Sequence, residues 1–197
     1  TSTVSVNASA GFSIVTATTP GSGSYTIGHG LGVAPAFIIA KGRNNTYNWT
    51  IYHQSTGASG YLLFNTSAFT ANTDTWNNTA PTSSVISSTV NWWGSGTNLV
   101  LYCWTPISGF SAFGSYTGNG STDGPFVYCG FRPKYVLWKR TNTTGDWTII
   151  DSVRNTYNVA NLELYPNLSN AETVVGGGLS QIDILSNGFK VRGADSY

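Results

Sequence analysis

Charge is the property this sequence most lacks. Only 9% of its residues are charged, against about 25% in an average globular protein. The net charge is +1, so electrostatic attraction gives no reason to expect a nucleic-acid partner or membrane insertion. Residues 1–108 carry only Lys41, Arg43 and Asp74. A surface this neutral is expected either where a protein packs against other subunits or where hydroxyl and amide groups provide the hydration.

Histidine and closely spaced acidic residues are also scarce. His29 and His53 are the only histidines, and their positions support no Ser–His–Asp grouping; we expect a structural or surface role for both. The acidic residues include no close pair that would indicate glycosidase carboxylates. We therefore predict no catalytic residue, no cofactor and no enzymatic activity.

Long apolar runs and targeting segments are missing as well. No apolar run approaches the roughly 18 residues that a transmembrane helix requires. No signal peptide is recognisable, and the sequence starts at Thr1 rather than at methionine. We therefore expect a processed or incompletely seen gene product.

The two cysteines and the loop aspartates give no metal-binding pattern. Cys103 and Cys129 lie within apolar runs and form no CxxC motif, so we expect buried free thiols rather than a disulfide, although one bridge is an alternative. Asp123, Asp146 and Asp183 lie near predicted loops, where carboxylates could bind Ca²⁺, but the sequence has no DxDxDG loop. We predict no metal site.

What the sequence does contain is an internal duplication. The stretch Gly11–His53 recurs as Gly109–Asp151 at a constant offset of 98 residues, without a gap. Gly-Phe-Ser begins both copies, and Trp-Thr-Ile lies close to the end of both. Matching glycines and tryptophans in one register indicate matching turns and a matching core, and therefore duplication of a structural unit.

The composition and spacing favour β-structure. Aromatic residues reach 14%, and the Gly, Ser, Thr and Asn content suits tight turns between strands. We predict an all-β protein with two tandem, duplicated β-sandwich (jelly-roll-like) units, residues 1–108 and 109–197. In the second unit, the predicted strands include Phe110–Tyr116 and Val159–Leu164.

The second unit is expected to lack its closing strand. The first repeat ends with the apolar strand Asn98–Thr105, whose counterpart at the same offset would occupy residues 196–203, beyond Tyr197. Either the gene product continues or another subunit supplies the strand. Because an unpaired sheet edge invites strand addition, we predict self-association as a homo-oligomer or filament.

Tryptophan marks both the predicted core and the predicted surface. Trp49 and Trp147 are repeated and alternate with isoleucine, so we predict that both are buried. Trp92 and Trp93 are adjacent and would point to opposite faces of an extended segment, leaving one exposed. Together with Asn91 and Asn98, they form a candidate glycan or subunit contact, and we favour the subunit contact.

Asparagine is frequent in Asn-x-Ser/Thr triplets. In a eukaryotic secreted protein these would be glycan acceptors, but we favour a surface that is simply rich in Asn, Ser and Thr. The asparagines are Asn7, Asn44, Asn48, Asn65, Asn77, Asn119, Asn142 and Asn167.

Four longer motifs are shared with a known family. They are Gly-His-Gly-Leu-Gly-Val-Ala-Pro-x-Phe-Ile-Ile at 28–39, Trp-Asn-Asn-Thr-Ala-Pro-Thr-Ser-Ser-Val at 76–85, Phe-Gly-Ser-Tyr-Thr-Gly-Asn-Gly at 113–120, and Gly-Pro-Phe-Val-Tyr at 124–128. With these motifs the chain resembles, over nearly its whole length, phage virion structural and tail-fibre-like proteins of marine and cyanobacterial phages. Members of that family usually continue past the position of Tyr197 with a closing strand.

The resemblance implies a non-enzymatic subunit of a phage fibre or appendage. Such a protein would be located in the virion, outside the cell, and would contact other virion proteins and a host-surface glycan. A lectin-like carbohydrate-binding module is the alternative function. A polysaccharide depolymerase ranks third, because the sequence shows no acid pair for it.

Overall fold

The protein is almost entirely β-structure, which confirms the predicted all-β class. The computed structural model describes residues 2–65, 67–176 and 181–194. The chain forms two compact units, residues 1–107 with 111–114, and residues 108–110 with 115–197. The sequence-predicted boundary, between residues 108 and 109, falls inside the short segment where the chain passes between the units.

The first unit is built on one seven-stranded antiparallel sheet, whose strand order is β1-β2-β9-β4-β5-β6-β7. A separate two-stranded ribbon pairs β3 with β8, and a one-turn helix, α1, follows β8. The strands are β1 (Ser2–Asn7), β2 (Phe12–Thr18), β3 (Ser24–Gly28), β4 (Phe37–Gly42), β5 (Thr50–His53), β6 (Gly60–Leu63), β7 (Thr70–Ala71), β8 (Val85–Thr89) and β9 (Asn98–Trp104); α1 is Val90–Trp93.

The core of the first unit lies between the sheet and the ribbon, in a sandwich-like arrangement. Alternate residues of β9 (Leu99, Leu101 and Cys103) are buried, as the two-residue period of a strand requires. The ribbon contributes Ile27 and Ile86 to the same cluster. Buried apolar groups from both layers therefore stabilise the pairing of sheet and ribbon.

The second unit repeats part of this plan, but its described strands form smaller sheets. Its described strands form a three-stranded sheet, β10-β16-β15, and two pairs, β11-β12 and β13-β14. Its core contains Ile150, Ile182, Ile184 and Phe189. The strands are β10 (Phe126–Tyr128), β11 (Tyr135–Lys139), β12 (Trp147–Asp151), β13 (Leu162–Glu163), β14 (Thr173–Val174), β15 (Ile182–Leu185) and β16 (Gly188–Val191).

The duplicated sequence produces one hairpin twice. Phe37 pairs with His53 in the β4–β5 hairpin, and Tyr135 pairs with Asp151 in the β11–β12 hairpin. Both pairs are related by the 98-residue offset, so the register is conserved between the copies. The opposite edge of β4 pairs with β9, whereas β11 has β12 as its only strand partner among the described residues.

The predicted strand Phe110–Tyr116 is wrong: this segment makes only a single bridge, between Ile107 and Ser111. Its first-copy counterpart, β2, contains the β-branched residues Ile14, Val15 and Thr16, whereas this segment has Ala, Phe and Gly at the matching positions. The loss of β-branched side chains and the added glycine weaken a strand.

Phe113, in this same segment, belongs to the first unit instead. Its ring stacks on Phe37 with 5.9 Å between ring centroids. The Gln54 side chain also donates a hydrogen bond to the Phe113 carbonyl oxygen, at 2.7 Å.

The predicted strand Val159–Leu164 is also shorter than expected, because only Leu162 and Glu163 form β13. Upstream of it, Ala160 makes an isolated bridge to Ile182. Downstream of it, Leu164 makes another isolated bridge, to Ile149. The segment is therefore divided among three partners rather than joined to one sheet.

The two repeated tryptophans differ in burial, and the prediction that both are buried is wrong for Trp49. Trp147 begins β12, pairs with Lys139 and is 3% exposed. Trp49 precedes β5, lies outside the β4–β5 ladder and is 40% exposed, with its ring against Tyr102. The ladder extends one pair further in the second copy than in the first, and this decides which indole is enclosed.

We expect the Trp147→Ala variant to lose about 3–5 kcal/mol of unfolding free energy, as for removal of a buried tryptophan. The Trp49→Ala variant should lose about 1 kcal/mol or less, because most surface substitutions have small effects. Urea unfolding followed by near-ultraviolet circular dichroism measures both. Equal losses in the two variants would contradict the difference in burial.

Gly11 and Gly109 start the two repeats and both have positive φ, +64° and +77°. A Cβ atom at Gly11 would lie 2.6 Å from the Thr105 carbonyl oxygen and 2.8 Å from Ile107 Cγ1, whereas at Gly109 nothing lies within 4 Å. A side chain would therefore strain the backbone at both positions, but its Cβ atom would clash with neighbouring atoms only at Gly11.

Alanine at Gly109 should cost about 1–2 kcal/mol, from the left-handed conformation alone. Alanine at Gly11 should cost at least about 1 kcal/mol more, because the neighbouring strand end must also shift. Denaturant titration of the two single variants provides the comparison, and a smaller loss for Gly11→Ala would rule out the clash.

Candidate functional site

Trp92 and Trp93 lie on α1 rather than on an extended strand, which corrects the assumption behind their prediction. The two rings meet edge to face, with 6.2 Å between the ring centroids and an interplanar angle of 84°, but they differ in burial. Trp93 is 1% exposed and belongs to the core of the first unit, whereas Trp92 is half-buried. Only Trp92 therefore has surface available for a ligand.

Trp92 forms one wall of a cleft of about 280 Å³ in the first unit, which we call the Trp92 cleft. The ring of Tyr61 lies against Trp92, with 4.4 Å between the ring centroids and an interplanar angle of 44°. The loop between β4 and β5 contributes further lining residues. The lining residues are Thr46, Tyr47, Asn48, Thr50, Tyr61, Leu63 and Trp92.

The Trp92 cleft combines aromatic faces with neutral polar groups. Among its lining residues there is no acidic or basic side chain. Small-molecule sites generally consist of apolar and aromatic walls with a few polar groups that orient the ligand. The cleft therefore has the chemistry of a site for a small, uncharged, hydroxyl-rich ligand.

The two asparagines predicted alongside the tryptophans lie outside the cleft lining and make structural hydrogen bonds. The Asn91 amide donates to Asp74 Oδ1 at 3.2 Å, which connects α1 to the loop before β8. The Asn98 side-chain oxygen accepts from Thr18 Oγ1 at 2.9 Å, where β9 pairs with the end of β2. The structure therefore brings only Trp92, of the four predicted residues, to the cleft.

Tyr47, Asn48 and Tyr61 line the cleft but were not among the contact residues predicted from the sequence. The first two lie in a loop and the third in β6, 13 residues further along the chain. One signal was available, because Tyr47-Asn48-Trp49 places aromatic residues on both sides of an amide in a turn. Nothing in the sequence connects that turn with Trp92.

The two thiols lie in different units and are both free. Cys103 is fully enclosed, and burial raises the pKa of its thiol to about 12. Burial also raises the pKa of the half-buried Cys129 thiol. Since the thiolate is the reactive form, neither residue is suited to nucleophilic chemistry at neutral pH.

The aspartates considered for Ca²⁺ already have protein partners. Asp123 Oδ1 lies 2.8 Å from Lys190 Nζ, and this hydrogen-bonded ammonium group lowers the pKa of Asp123. Asp183 pairs with Arg192 at 2.6 Å, and Asp146 accepts a hydrogen bond from the Asn167 amide. Within the described ranges, no cluster of three or more His, Cys, Asp or Glu residues could hold a metal ion.

The second unit has a different surface feature, the open edge of β11. Tyr135 on β11 is 55% exposed, whereas its counterpart Phe37 on β4 is 7% exposed. Phe37 is covered partly by Trp104 of β9, with the two ring centroids 5.6 Å apart. An aromatic residue is therefore present at this position in both copies, but among the described residues no strand equivalent to β9 covers Tyr135.

His29 has a structural role in the first unit. It is completely buried, Nε2 lies 3.1 Å from the Thr82 carbonyl oxygen, and the Leu31 N–H donates to Nδ1 at 3.3 Å. These contacts place the proton on Nε2 and leave Nδ1 as an acceptor. Burial lowers the pKa of His29, because the charged imidazolium is disfavoured in the interior.

We expect the unfolding free energy to fall as the pH drops below about 6.5, the ordinary pKa of an unfolded histidine. The unfolded chain binds a proton at a higher pH than the folded chain does, so acidification favours unfolding. Burial also lowers the pKa of His53, so this residue too should decrease the unfolding free energy at low pH. The His29→Asn and His53→Gln variants, unfolded in urea between pH 5 and 8, separate the two contributions. If the unfolding free energy of His29→Asn changed with pH as steeply as that of the unmodified chain, the buried imidazole would be excluded as a cause of the pH dependence.

None of the helices in the described part of the chain is long and apolar enough to cross a membrane.

Comparison with known proteins gives one finding about the family. No curated protein and no solved structure has detectable similarity to the chain. A protein-family model matches residues 1–197, and the chain therefore belongs to that family, the domain of unknown function DUF7483.

Proposed function

We propose that this protein is a non-enzymatic structural subunit of a phage virion, part of a fibre or appendage, that assembles through β-strand contacts and contributes to host-surface attachment. Its location would be the virion, outside the cell. The proposal rests on the resemblance of its motifs to phage tail-fibre-like proteins and on the open edge of β11. The edge is the observation that carries the assembly mechanism.

The comparison of β4 with β11 explains why that edge favours assembly. In the first unit, β4 has partners on both sides, and Ile38 and Ala40 are almost completely buried. In the second unit, the described partner of β11 is β12 alone, and every residue of β11 keeps some exposure. A free row of backbone N–H and C=O groups beside apolar side chains is a template for an added strand.

The internal repeat also indicates which strand would fit. At the 98-residue offset, β1 (Ser2–Asn7) corresponds to residues 100–105, most of which belong to β9. β1 is itself an edge strand, paired with β2. In our proposal, β1 of a second copy lies beside β11, as β9 lies beside β4. Such a head-to-tail contact uses two different surfaces, so it can continue into a filament or close into a ring.

The charge distribution is compatible with this arrangement. β1 carries no charged residue, and β11 carries only Lys139, at its end. Natural edge strands often use inward-pointing lysine to prevent strand addition. Neither edge has such a lysine in its central part, so neither is protected from pairing.

We expect the purified chain to show a concentration-dependent mass above the 21.0 kDa of the monomer in light scattering. Leu137→Lys on β11 and Val6→Lys on β1 should each shift the mass towards the monomer, because each places a charge on one of the two pairing edges. Negative-stain electron microscopy of the unmodified chain should show elongated particles.

Leu168→Lys is the matched control, since Leu168 is 41% exposed and lies outside both edges; it should leave the mass unchanged. A monomer at all concentrations for the unmodified chain would reject strand-mediated assembly. Equal disruption by all three lysine substitutions would reject the proposed edges.

A further inference from the structure

We propose that the Trp92 cleft is a binding site for a neutral saccharide, with the sugar ring stacked on the aromatic wall and its hydroxyl groups bound by the loop between β4 and β5. This assigns the attachment role to a particular surface of the first unit. It rests on the proposed function only for its biological setting, because the cleft and the β11 edge have no residue in common.

The aromatic wall provides a face for the apolar side of a pyranose ring. The Tyr61 ring packs against Trp92 at a tilt, and both residues are half-buried, so this contact fixes their positions while other surface remains accessible. Tyr47, in the loop between β4 and β5, is 41% exposed. Tyrosine and tryptophan combine a large apolar surface with a polar group, which suits a ligand that has apolar and hydroxylated faces.

The polar groups of the cleft are neutral and available. Asn48 and Thr46 are exposed, and among the described residues neither side chain makes an intramolecular hydrogen bond. The Asn48 amide provides two donors and an acceptor oxygen, a combination that matches vicinal sugar hydroxyls. Because the lining has no charged group, it gives an acidic sugar or a charged peptide no counter-ion.

The loop that carries these polar groups is held in place from both ends. The Asn45 amide donates to Thr97 Oγ1 at 3.2 Å, and its oxygen accepts from the Tyr47 N–H at 3.2 Å. The Asn44 amide donates to the Gly96 carbonyl oxygen, and the Lys41 ammonium group donates to the Tyr47 carbonyl oxygen. A wall fixed before binding loses little conformational entropy when a ligand binds.

The helix α1 is anchored through the same residue, Thr97, and through Asp74. Thr97 Oγ1 donates to the Trp93 carbonyl oxygen at 2.5 Å, and Asn91 is bound to Asp74. Trp93 packs in the core directly next to Trp92 in the chain. The aromatic platform therefore has a fixed orientation.

The duplication shows that the cleft is additional to the repeated fold. At the 98-residue offset, Tyr47 corresponds to Gly145 and Asn48 to Asp146, while Thr50 remains a threonine. Thr46 likewise corresponds to a threonine, Thr144, so Tyr47 and Asn48 are the two of the three loop residues in the lining that differ. The shared hairpin architecture therefore does not require Tyr47 or Asn48. Tyr47 also packs edge-on against Trp93, with 6.2 Å between the ring centroids, and in our proposal a ligand accounts for Asn48.

The experiment is a ligand-observed saturation-transfer NMR measurement on the full chain. The probes are the methyl glycosides of glucose, galactose, mannose and N-acetylglucosamine, with glucuronic acid as an anionic sugar and a proline-rich decapeptide as an alternative ligand class. Isothermal titration then gives the Kd of any probe that binds. The variants are Trp92→Ala and Asn48→Ala, and Trp49→Ala is the control, since Trp49 is an exposed indole outside the cleft lining.

We expect at least one neutral glycoside to bind, and its Kd to rise roughly tenfold or more in Trp92→Ala and Asn48→Ala, which corresponds to about 1.4 kcal/mol or more. Trp49→Ala should bind as the unmodified chain does. Asn48 is exposed, so its substitution keeps the test valid even if Trp92→Ala disturbs the fold. Near-ultraviolet circular dichroism checks the fold of each variant.

Three results would overturn the proposal: no neutral glycoside binds, the decapeptide or glucuronic acid binds in the cleft in place of a neutral glycoside, or neutral-glycoside binding survives the Asn48→Ala substitution unchanged. Loss of glycoside binding would leave the mass measurements on β1 and β11 unaffected. A monomeric chain that binds the glycoside would reject the assembly mechanism and retain the cleft.

Discussion

The pairing of β9 with β2 and β4 is the interaction on which the first unit depends. β9 closes a loop of more than fifty residues that starts at the end of β4, and it pairs along its length with β2 and over most of its length with β4. Its buried side chains, Leu99, Leu101 and Cys103, also belong to the central core. Long-range pairing of this kind carries a large chain-entropy cost, which the buried apolar area and the two ladders offset.

The second unit shows what the same hairpin becomes without that pairing. β11 and β12 keep the register of β4 and β5, but the exposure of Tyr135 is far greater than that of Phe37. A hairpin register is fixed locally by its turn and its hydrophobic pattern, whereas the burial of its outer edge needs a third strand. In the assembly that we propose, β1 of a second copy would supply this third strand.

The units share one way of satisfying their polar groups and differ in another. In the first unit, asparagine side chains connect loops to strands, as Asn44 and Asn45 do around Thr97. Asparagine does the same in the second unit, where Asn155 accepts from the Leu162 N–H, but ion pairs are added there, such as the bridge of Arg154 to Asp151 and Glu172. The described part of the first unit has no such ion pair, which is compatible with the uncharged ligand that we propose. The Trp92 cleft lies in that unit.

The sequence by itself determined the all-β class and the 98-residue repeat, because the strand and turn preferences of Thr, Val, Trp, Gly and Asn act over a few residues. It also identified Trp92 as one of two candidate contact tryptophans. It did not distinguish Trp49 from Trp147, because both begin the same Trp-Thr-Ile motif, whereas only Trp147 is included in its hairpin ladder.

Only the tertiary structure decided which side chains meet. Tyr47 and Asn48 come from one loop, Tyr61 from β6 and Trp92 from α1, and they are brought together when β5 pairs with β6 and α1 packs its Trp93 into the core. Residues 110–116 likewise form no strand, unlike their counterpart β2, although Gly-Phe-Ser starts both copies. Local sequence specifies local conformation, but a cleft or a sheet edge depends on contacts between residues far apart in the chain, whose free energy no short motif records.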